Sequence, residues 1–440
     1  MASFSFKPFL LVALLACGSG TTKNADSSIE VDSTLVNDTS AKGESALVPV
    51  AGADISLPAG FKAGTVVESL GRNRHIAVNG NGDIYVKTSN TKNGKGIYVL
   101  RDADKDGKYE VVKSFGNYGG TGIAISNGYL YASSDEEVFR YKLVNNEVSN
   151  PDAPEKIITG LLSKGTHASK SIALDNAGNI YVNIGAPSNA CQVVDRSAGS
   201  PGQDPCPILK NAGGIWQFKA DKLNQSYAQG LRYATGLRNV VGLDWNSQQN
   251  QLYAMQHGRD QLNTVDPDQY NDAENAELPA EEFFLIKKGG DYGWPYCYYD
   301  PVQKKKVLGP EYGGDGKKQD RCAGKEQPIY AFPAHWAPNA VLFYTGNMFP
   351  AKYKNGVFIA FHGSWNRAPL KQGGFNVVFL PFKNGMPSGT YEVFADGFTG
   401  KGAVDGADQA QYRPCGLAQG PDGSIYISDS KKGRIWKISY

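Results

Sequence analysis

The chain is expected to be all-β: a six-bladed β-propeller of four-stranded antiparallel blades, its ring closed by an N-terminal strand pairing with the C-terminal one. One hairpin pattern recurs six times along the 440 residues, and such self-similarity marks radially or linearly repeated units. Composition agrees, because 52 Gly and 24 Tyr against four Met favour turns and half-buried strands over helix bundles.

The repeated unit is an apolar strand, a turn holding Asn, Asp or Gly, and a second strand with an aromatic residue. It reads HIAVNGNGDIYVKT at 75–88, TGIAISNGYLYASSD at 121–135 and KSIALDNAGNIYVNIG at 170–185. It returns as RNVVGLDWNSQQNQLYAMQHG at 238–258, more loosely as AVLFYTGNMFPAKYKNGVFIAFHG at 340–363, and as CGLAQGPDGSIYISDS at 415–430. The NGNG, NAG and PDG turns supply the positive-φ positions that a tight reversal needs. Further strands are expected at 96–101, 108–115, 137–142, 214–218, 375–381 and 434–439, so each unit amounts to one four-stranded blade. The longest insertion is expected at 259–334. Residues 61–70 (FKAGTVVESL) are expected to complete the last blade, removing an exposed edge.

Ahead of the propeller, one Lys (Lys7) and an apolar run from Phe9 to Ala16 read as a secretory signal over 1–16, too short to span a bilayer. Leu14-Leu15-Ala16-Cys17 matches a bacterial lipobox, so Cys17 is expected to be lipidated, with 17–52 a polar flexible tether and 53–440 the propeller domain. The chain is therefore expected to be an exported bacterial lipoprotein, anchored on the periplasmic side or cell surface. Gly18 and Ser19 after the lipidated Cys point by analogy to the outer membrane. Export permits disulfides. Sequence-local pairing gives Cys191–Cys206 and Cys297–Cys322, one of three pairings that four cysteines allow, and leaves Cys415 as a buried thiol. A net charge of +2 leaves no excess charge for nucleic acid, which is not expected as a partner. The sequence has no CxxCH haem site, no HExxH zinc signature and no GxGxxG opening a strand–helix unit.

In a four-stranded blade the start of the first strand and the end of the second meet at one end of the inner hairpin, so these positions ring one mouth of the channel. All five histidines fall there: His75, His167 and His335 before first strands, His257 and His362 after second strands. Arg72, Arg74, Lys170, Arg238, Asn239, Trp336 and Arg413 precede first strands, and Gln256, Arg259, Asp260, Trp365 and Arg367 follow second ones. Such a mouth suits a planar, multiply anionic ligand: arginines fork onto carboxylates, Trp covers flat rings, and a His near its ordinary pKa removes a hydroxyl proton.

These residues carry a family resemblance. The run at 167–191 (HASKSIALDNAGNIYVNIGAPSNAC), GLRN at 236–239, HGRDQ at 257–261, DYGWPYC at 291–297, HGSWNR at 362–367 and RPCG at 413–416 resemble the sugar dehydrogenases that use pyrroloquinoline quinone (PQQ) on a six-bladed propeller, and among them the sorbosone dehydrogenase branch. The resemblance covers 57–440. It implies a PQQ-dependent oxidoreductase acting on an aldose or related aldehyde, with hydride passing to the quinone and electrons to an external acceptor. It implies His167 as general base, Arg238 and Asn239 as a cofactor-contacting pair, and Arg367 and Arg413 on cofactor carboxylates. His257 stands where the glucose enzymes carry Gln, and Trp365 completes the cofactor wall. The backbone carbonyls of Gly258 and Arg259 match those holding Ca²⁺ beside PQQ. One departure matters: the Asp that supports the catalytic His in the soluble glucose enzymes falls at Ala186, so support from Asn183 or Asn189, or a different orientation of His167, is expected.

Two other function classes use such a scaffold. Calcium-dependent lactonases need several acidic side chains on the ion, whereas this mouth is rich in Arg, Lys and His. A glycan- or protein-binding propeller would keep its activity without His167. Asp102-x-Asp104-x-Asp106-Gly107 imitates the start of a calcium loop, but its twelfth position is Lys113, so it reads as a hairpin turn, and Lys304–Lys306 reads as a solvated loop.

Overall fold

The computed structural model describes residues 47–400 and 402–440. The expected signal segment, Cys17 and most of the expected linker lie outside these residues. The described chain begins inside the expected linker, where Leu47–Pro49 pairs antiparallel with Ser56–Pro58.

Six antiparallel sheets follow one another around a ring. Blade 1 is Asn73–Val78, Ile84–Lys92, Lys95–Arg101 and Glu110–Phe115. Blade 2 is Ile123–Ser126, Tyr129–Ser133, Val138–Val144 and Glu155–Thr159, and blade 3 is Ile172–Leu174, Asn179–Ile184, Gly214–Lys219 and Leu231–Thr235. Blade 4 is Val240–Asn246, Gln251–Gln256, Glu281–Ile286 and Tyr330–Phe332; blade 5 is Pro338–Phe343, Val357–Phe361, Asn376–Leu380 and Glu392–Ala395. Blade 6 takes its inner strands from Pro414–Gln419, Ile425–Asp429 and Ile435–Ser439, and its outer strand, Lys62–Val67, from the other end of the domain. Lys62 pairs with Ser439 and Ala63 with Ile438, which joins the two ends of the fold as the sequence predicts.

Hydrophobic burial explains why blades stack radially. Six apolar clusters each span the gap between two neighbouring blades, blade 6 against blade 1 included. The aromatic of the second strand is the recurring element: Tyr85, Tyr131, Tyr181, Tyr253, Phe358 and Tyr426 are all buried. A buried phenol needs a partner for its hydroxyl, and several of these reach the next blade. Tyr85 donates to Asn146 O at 3.3 Å, Tyr131 to Ala220 O at 3.2 Å and Tyr253 to Gly385 O at 2.6 Å, while Tyr426 meets the Tyr109 hydroxyl of blade 1 at 3.0 Å.

Residues 259–334 are not one insertion. Glu281–Ile286 and Tyr330–Phe332 within them are the third and fourth strands of blade 4. What remains is a segment with two short helices, Leu262–Val265 and Asp272–Glu277, and a segment with the hairpin Cys297–Asp300/Lys305–Leu308. Both expected disulfides form, Cys191–Cys206 and Cys297–Cys322, and Cys415 is free and buried. The two bridges share one apolar cluster with Ala186, Trp294 and Tyr296. The Asp102–Gly107 segment is a turn whose carboxylates take its own amides: Gly107 N donates to Asp102 Oδ2 at 3.1 Å and Lys108 N to Asp106 Oδ1 at 2.7 Å.

Candidate active site

A cavity of ≈ 690 Å³ opens at the expected mouth. Arg72, Arg74, Arg413 and Lys431 line it, against the two carboxylates Asp135 and Asp408, with His362, Ser89, Asn90, Thr121, Ser169 and Ser430. Arg413 and His362 are on the expected wall; Asn90, Thr121, Asp135 and Lys431 are new. Asn90 continues the second strand of blade 1 and Lys431 follows that of blade 6, so extending the strand-end rule by two residues would have found both.

The guanidiniums of the cationic wall are fixed by neutral acceptors, with Asp429 near enough to Arg413 to attract it. Arg413 donates Nε to His362 O at 3.0 Å and Nη2 to Gly363 O at 2.7 Å, and Arg74 donates Nε to Thr121 Oγ1 at 3.1 Å. Burial, together with the neighbouring Arg74, lowers the Arg413 pKa to about 10. Two guanidiniums that repel one another at an open cavity are the donor set a planar polycarboxylate requires.

The five histidines are tethered, and burial holds all of them neutral. His75 Nε2 bonds Asn339 O at 2.7 Å, His257 Nε2 bonds Pro338 O at 2.9 Å, and His362 Nε2 lies 2.6 Å from Ser430 Oγ. Burial, then Arg74, lowers His75 to about 4; burial lowers His257 to about 4 and pushes His362 well down, Arg413 adding to the latter. His335 faces Asn275 O at 2.8 Å and Asn366, away from the cavity lining.

His167 differs from the expected base near its ordinary pKa. Burial, then Arg238, brings it down to about 3. Its Nδ1–H donates to Ala186 O at 2.5 Å. The second proton position, Nε2, is thereby the acceptor of a neutral ring. Neither expected support is used: Asn183 donates to Ser169 O and accepts from Val240 N, and Asn189 serves Arg238 and Asp260. Ala186 is itself fixed, its N–H donating to Arg238 O at 2.7 Å. His167 does not line this cavity; it feels Arg238 and His257, His257 feels Arg74, and His362, which does line it, feels Arg413, Arg74 and His257.

Other expected cofactor residues are placed differently. Arg238 is 3% exposed and folded inward, bonding Asn189 O, Asn189 Oδ1, Gly258 O at 2.8 Å and Asp260 Oδ2 at 2.7 Å. The Gly258 carbonyl expected to hold Ca²⁺ is thus already an acceptor, and a cation placed on it would meet the guanidinium. Arg259 sends Nη1 to Glu311 at 2.6 Å. Arg367 is buried, donating to Ala276 O, Ala334 O and Glu277. It braces the C-terminal end of Asp272–Glu277, where a cation complements the free carbonyls, and does not line the cavity. Trp365 is 55% exposed. Asn239 keeps a buried Oδ1 that has no hydrogen-bond partner among the described residues, a polar atom costly to leave unpaired. A carboxylate-bearing cofactor fits the Arg74–Arg413 wall of the cavity, and Asn239 is not part of that lining.

Glu281 escaped the sequence, which offers Asn189 only as a support for His167. Asn189, fully buried, accepts Arg238 Nε and Trp294 Nε1 on its carbonyl and donates Nδ2 to Asp260 O. Glu281 accepts Gly258 N at 2.8 Å and Ala337 N at 3.0 Å, and burial pushes its carboxyl up to about 8. Both act through loops from other parts of the chain, which no local motif displays.

Comparison with known proteins agrees with this architecture. An uncharacterised protein of Borreliella burgdorferi is 26% identical over 403 residues, covering 88% of this chain and 91% of that protein. The pyrroloquinoline quinone-dependent pyranose dehydrogenase of Coprinopsis cinerea is 26% identical over 279 residues, 55% of this chain but only 37% of that longer protein. Among solved structures, a carbohydrate-active enzyme of family AA12 from Trichoderma reesei superposes with a TM-score of 0.70 at 19% identity, covering 89% of this chain and 99% of the other. The holo PQQ domain of the Coprinopsis cinerea pyranose dehydrogenase gives 0.69 at 19% identity, covering 89% and 98%. The TrAA12-like family model matches residues 55–440, the whole ring with its closing strand, and the chain belongs to that family.

Proposed function

We propose that the protein is a PQQ-dependent dehydrogenase that oxidises an aldose or related, sorbosone-like aldehyde and passes the electrons to an external acceptor. The observation that carries this reading is the open cavity lined by Arg72, Arg74, Arg413 and Lys431, where Arg74 and Arg413 lie close enough to repel one another. The names of the relatives support it. PQQ, when bound, supplies the two-electron acceptor for the substrate hydride.

The chain's own residues do the rest. Arg74 and Arg413 hold cofactor carboxylates at the cavity that they line. His167 Nε2 takes the hydroxyl proton of the sugar or of the aldehyde hydrate while Nδ1–H stays on Ala186. Ser89, Asn90, Thr121 and Ser169 offer uncharged groups to sugar hydroxyls at the same cavity. Ca²⁺ is the companion ion of this reading, and it takes the Gly258 and Arg259 carbonyls only if Arg238 releases the former.

The test is a titration of the purified chain with PQQ, with and without Ca²⁺, followed by quinone absorbance and then by addition of aldoses and aldehydes with a dye acceptor. Binding followed by substrate-dependent bleaching supports the reading. Absence of PQQ binding at micromolar concentrations overturns it.

The anchor is a separate proposal: Cys17 carries lipid and holds the domain at the periplasmic side or cell surface. Support comes from the lipobox alone. Metabolic labelling with an alkyne fatty acid, lost in Cys17→Ala, tests it.

A further inference from the structure

Lys170 is fully buried just ahead of the inner strand of blade 3, and it does not line the cavity. A charge taken out of water needs partners. Its Nζ curls back to donate to Ala168 O, the carbonyl directly after His167. Its own carbonyl accepts Ser133 Oγ at 2.6 Å and Gly122 N at 3.0 Å, which fixes the residue to blade 2. The charges it feels are Asp135 and Glu136, both exposed on the loop after the second strand of that blade.

We propose that Lys170 is a positioning residue for His167: its ammonium, through Ala168 O, sets where the base presents Nε2. The inference rests on His167 being the base and adds the group that holds it. The His167 loop has little slack elsewhere. A Cβ on Gly185 would sit 2.6 Å from both the Cβ and the carbonyl oxygen of His167, and a Cβ on Gly165 would sit 2.5 Å from Pro187 Cβ. His167 Nδ1–H is spent on Ala186 O, and Ser169 O accepts Asn183 Nδ2 at 3.3 Å. Between these tethers, Ala168 O is held by a side chain whose charge can change.

That charge matters because a bond from an ionised donor is about twice as strong as a neutral one. Burial lowers the Lys170 pKa to about 8, with Asp135 and then Glu136 opposing the shift. The ammonium is therefore present below that pH, and the tether on Ala168 O weakens above it. Base and brace titrate far apart, since the His167 ring is held at about 3.

The full chain, isotope-labelled in its histidines and without cofactor, is titrated by NMR. The His167 ring signals are assigned by their loss in His167→Gln. Because that ring is neutral throughout, a change in its nitrogen resonances with a midpoint at about 8 reports Lys170. The change is expected in the wild-type chain and absent in Lys170→Met. Glu136→Gln is an exposed change outside the cavity that keeps the acceptor used by Ser163 Oγ; it moves the midpoint to lower pH by a few tenths of a unit. In turnover with a dye acceptor, Lys170→Met lowers kcat ~10-fold or more while KM and PQQ affinity stay near wild type, and the basic limb of wild-type kcat falls at the same midpoint. A His167 resonance that stays flat through that pH, or a midpoint that Glu136→Gln leaves in place, overturns the proposal. So does a folded Lys170→Met chain with unchanged kcat. If no aldose or aldehyde reduces bound PQQ, yet the midpoint follows Lys170 and Glu136, the brace stands and the dehydrogenase function fails.

Discussion

The carbonyl of Ala186 takes the Nδ1 proton of His167 at 2.5 Å. A backbone oxygen thus holds the ring where the resembled glucose enzymes use an Asp side chain. A carboxylate would raise the basicity of the ring, whereas a neutral carbonyl fixes the tautomer and adds little charge. The Ala186 amide is pinned by Arg238 O at 2.7 Å, and its side chain is packed against both disulfides, so orientation comes from the fold rather than from a partner residue.

The pH dependence of turnover follows. With burial and Arg238 holding His167 at about 3, the base is deprotonated throughout the working range. The acid limb of kcat/KM is therefore expected well below pH 6, with no inflection near the usual histidine value. His167→Gln lowers kcat by ~10²–10⁴-fold while PQQ affinity changes little. A limb at pH 6.5 in the steady-state profile would contradict the tether.

Cofactor affinity should depend on Arg74 and Arg413, which line the cavity together with Arg72, and not on Arg367, which the sequence also proposes. Each charge-assisted bond is worth about 1.5–3 kcal/mol, so Arg74→Gln and Arg413→Gln weaken PQQ binding roughly 10- to 150-fold. Arg367→Gln leaves PQQ affinity near wild type but lowers the melting temperature, since its guanidinium braces Ala276 O and Ala334 O. Absorbance titration and thermal melts separate the two effects.

Stability should fall in mild acid. The folded His75 pKa is lowered to about 4, from an ordinary 6.5, first by burial and then by Arg74. The unfolded chain then binds more protons than the folded one between those values, so stability rises with pH across that window. It is fully present above pH 6.5 and is lost progressively as pH drops toward 4. His75→Asn flattens this part of the profile, read as melting temperature against pH.

Removing the Cys191–Cys206 bridge, which spans 15 residues, costs about 3 kcal/mol on loop-entropy grounds. The Cys191→Ser/Cys206→Ser chain is expected to melt earlier. It also loses kcat beyond the loss of folded protein, because the bridge backs the Ala186 acceptor. Activity per folded molecule, scored by circular dichroism, is the measurement.

The repeat was readable because its signals are local. Each second strand carries its own aromatic, each inner turn its own Asn, Asp or Gly, and each blade buries its face against a neighbour of the same pattern. The closing strand and both disulfides were readable for the same reason: an apolar period and a short loop are properties of a contiguous stretch. The outer strands were less legible: the fourth strands Glu155–Thr159, Leu231–Thr235 and Glu392–Ala395 were not located, nor were the third and fourth strands of blade 4, which lie between helices and a hairpin.

The sequence by itself brought a set of candidate residues to the strand ends, because strand ends are set by the repeat. Which way they turn was decided by tertiary structure. Arg238 and Arg413 precede first strands and Arg367 follows a second one, yet the first folds onto Asn189 and Asp260, Arg367 onto Ala276 and Ala334, and Arg413 lines the cavity. Their partners come from loops of other blades, distant in sequence. A long cation settles on whichever buried acceptors those loops present, since an unpaired acceptor or buried charge costs more than any local preference supplies.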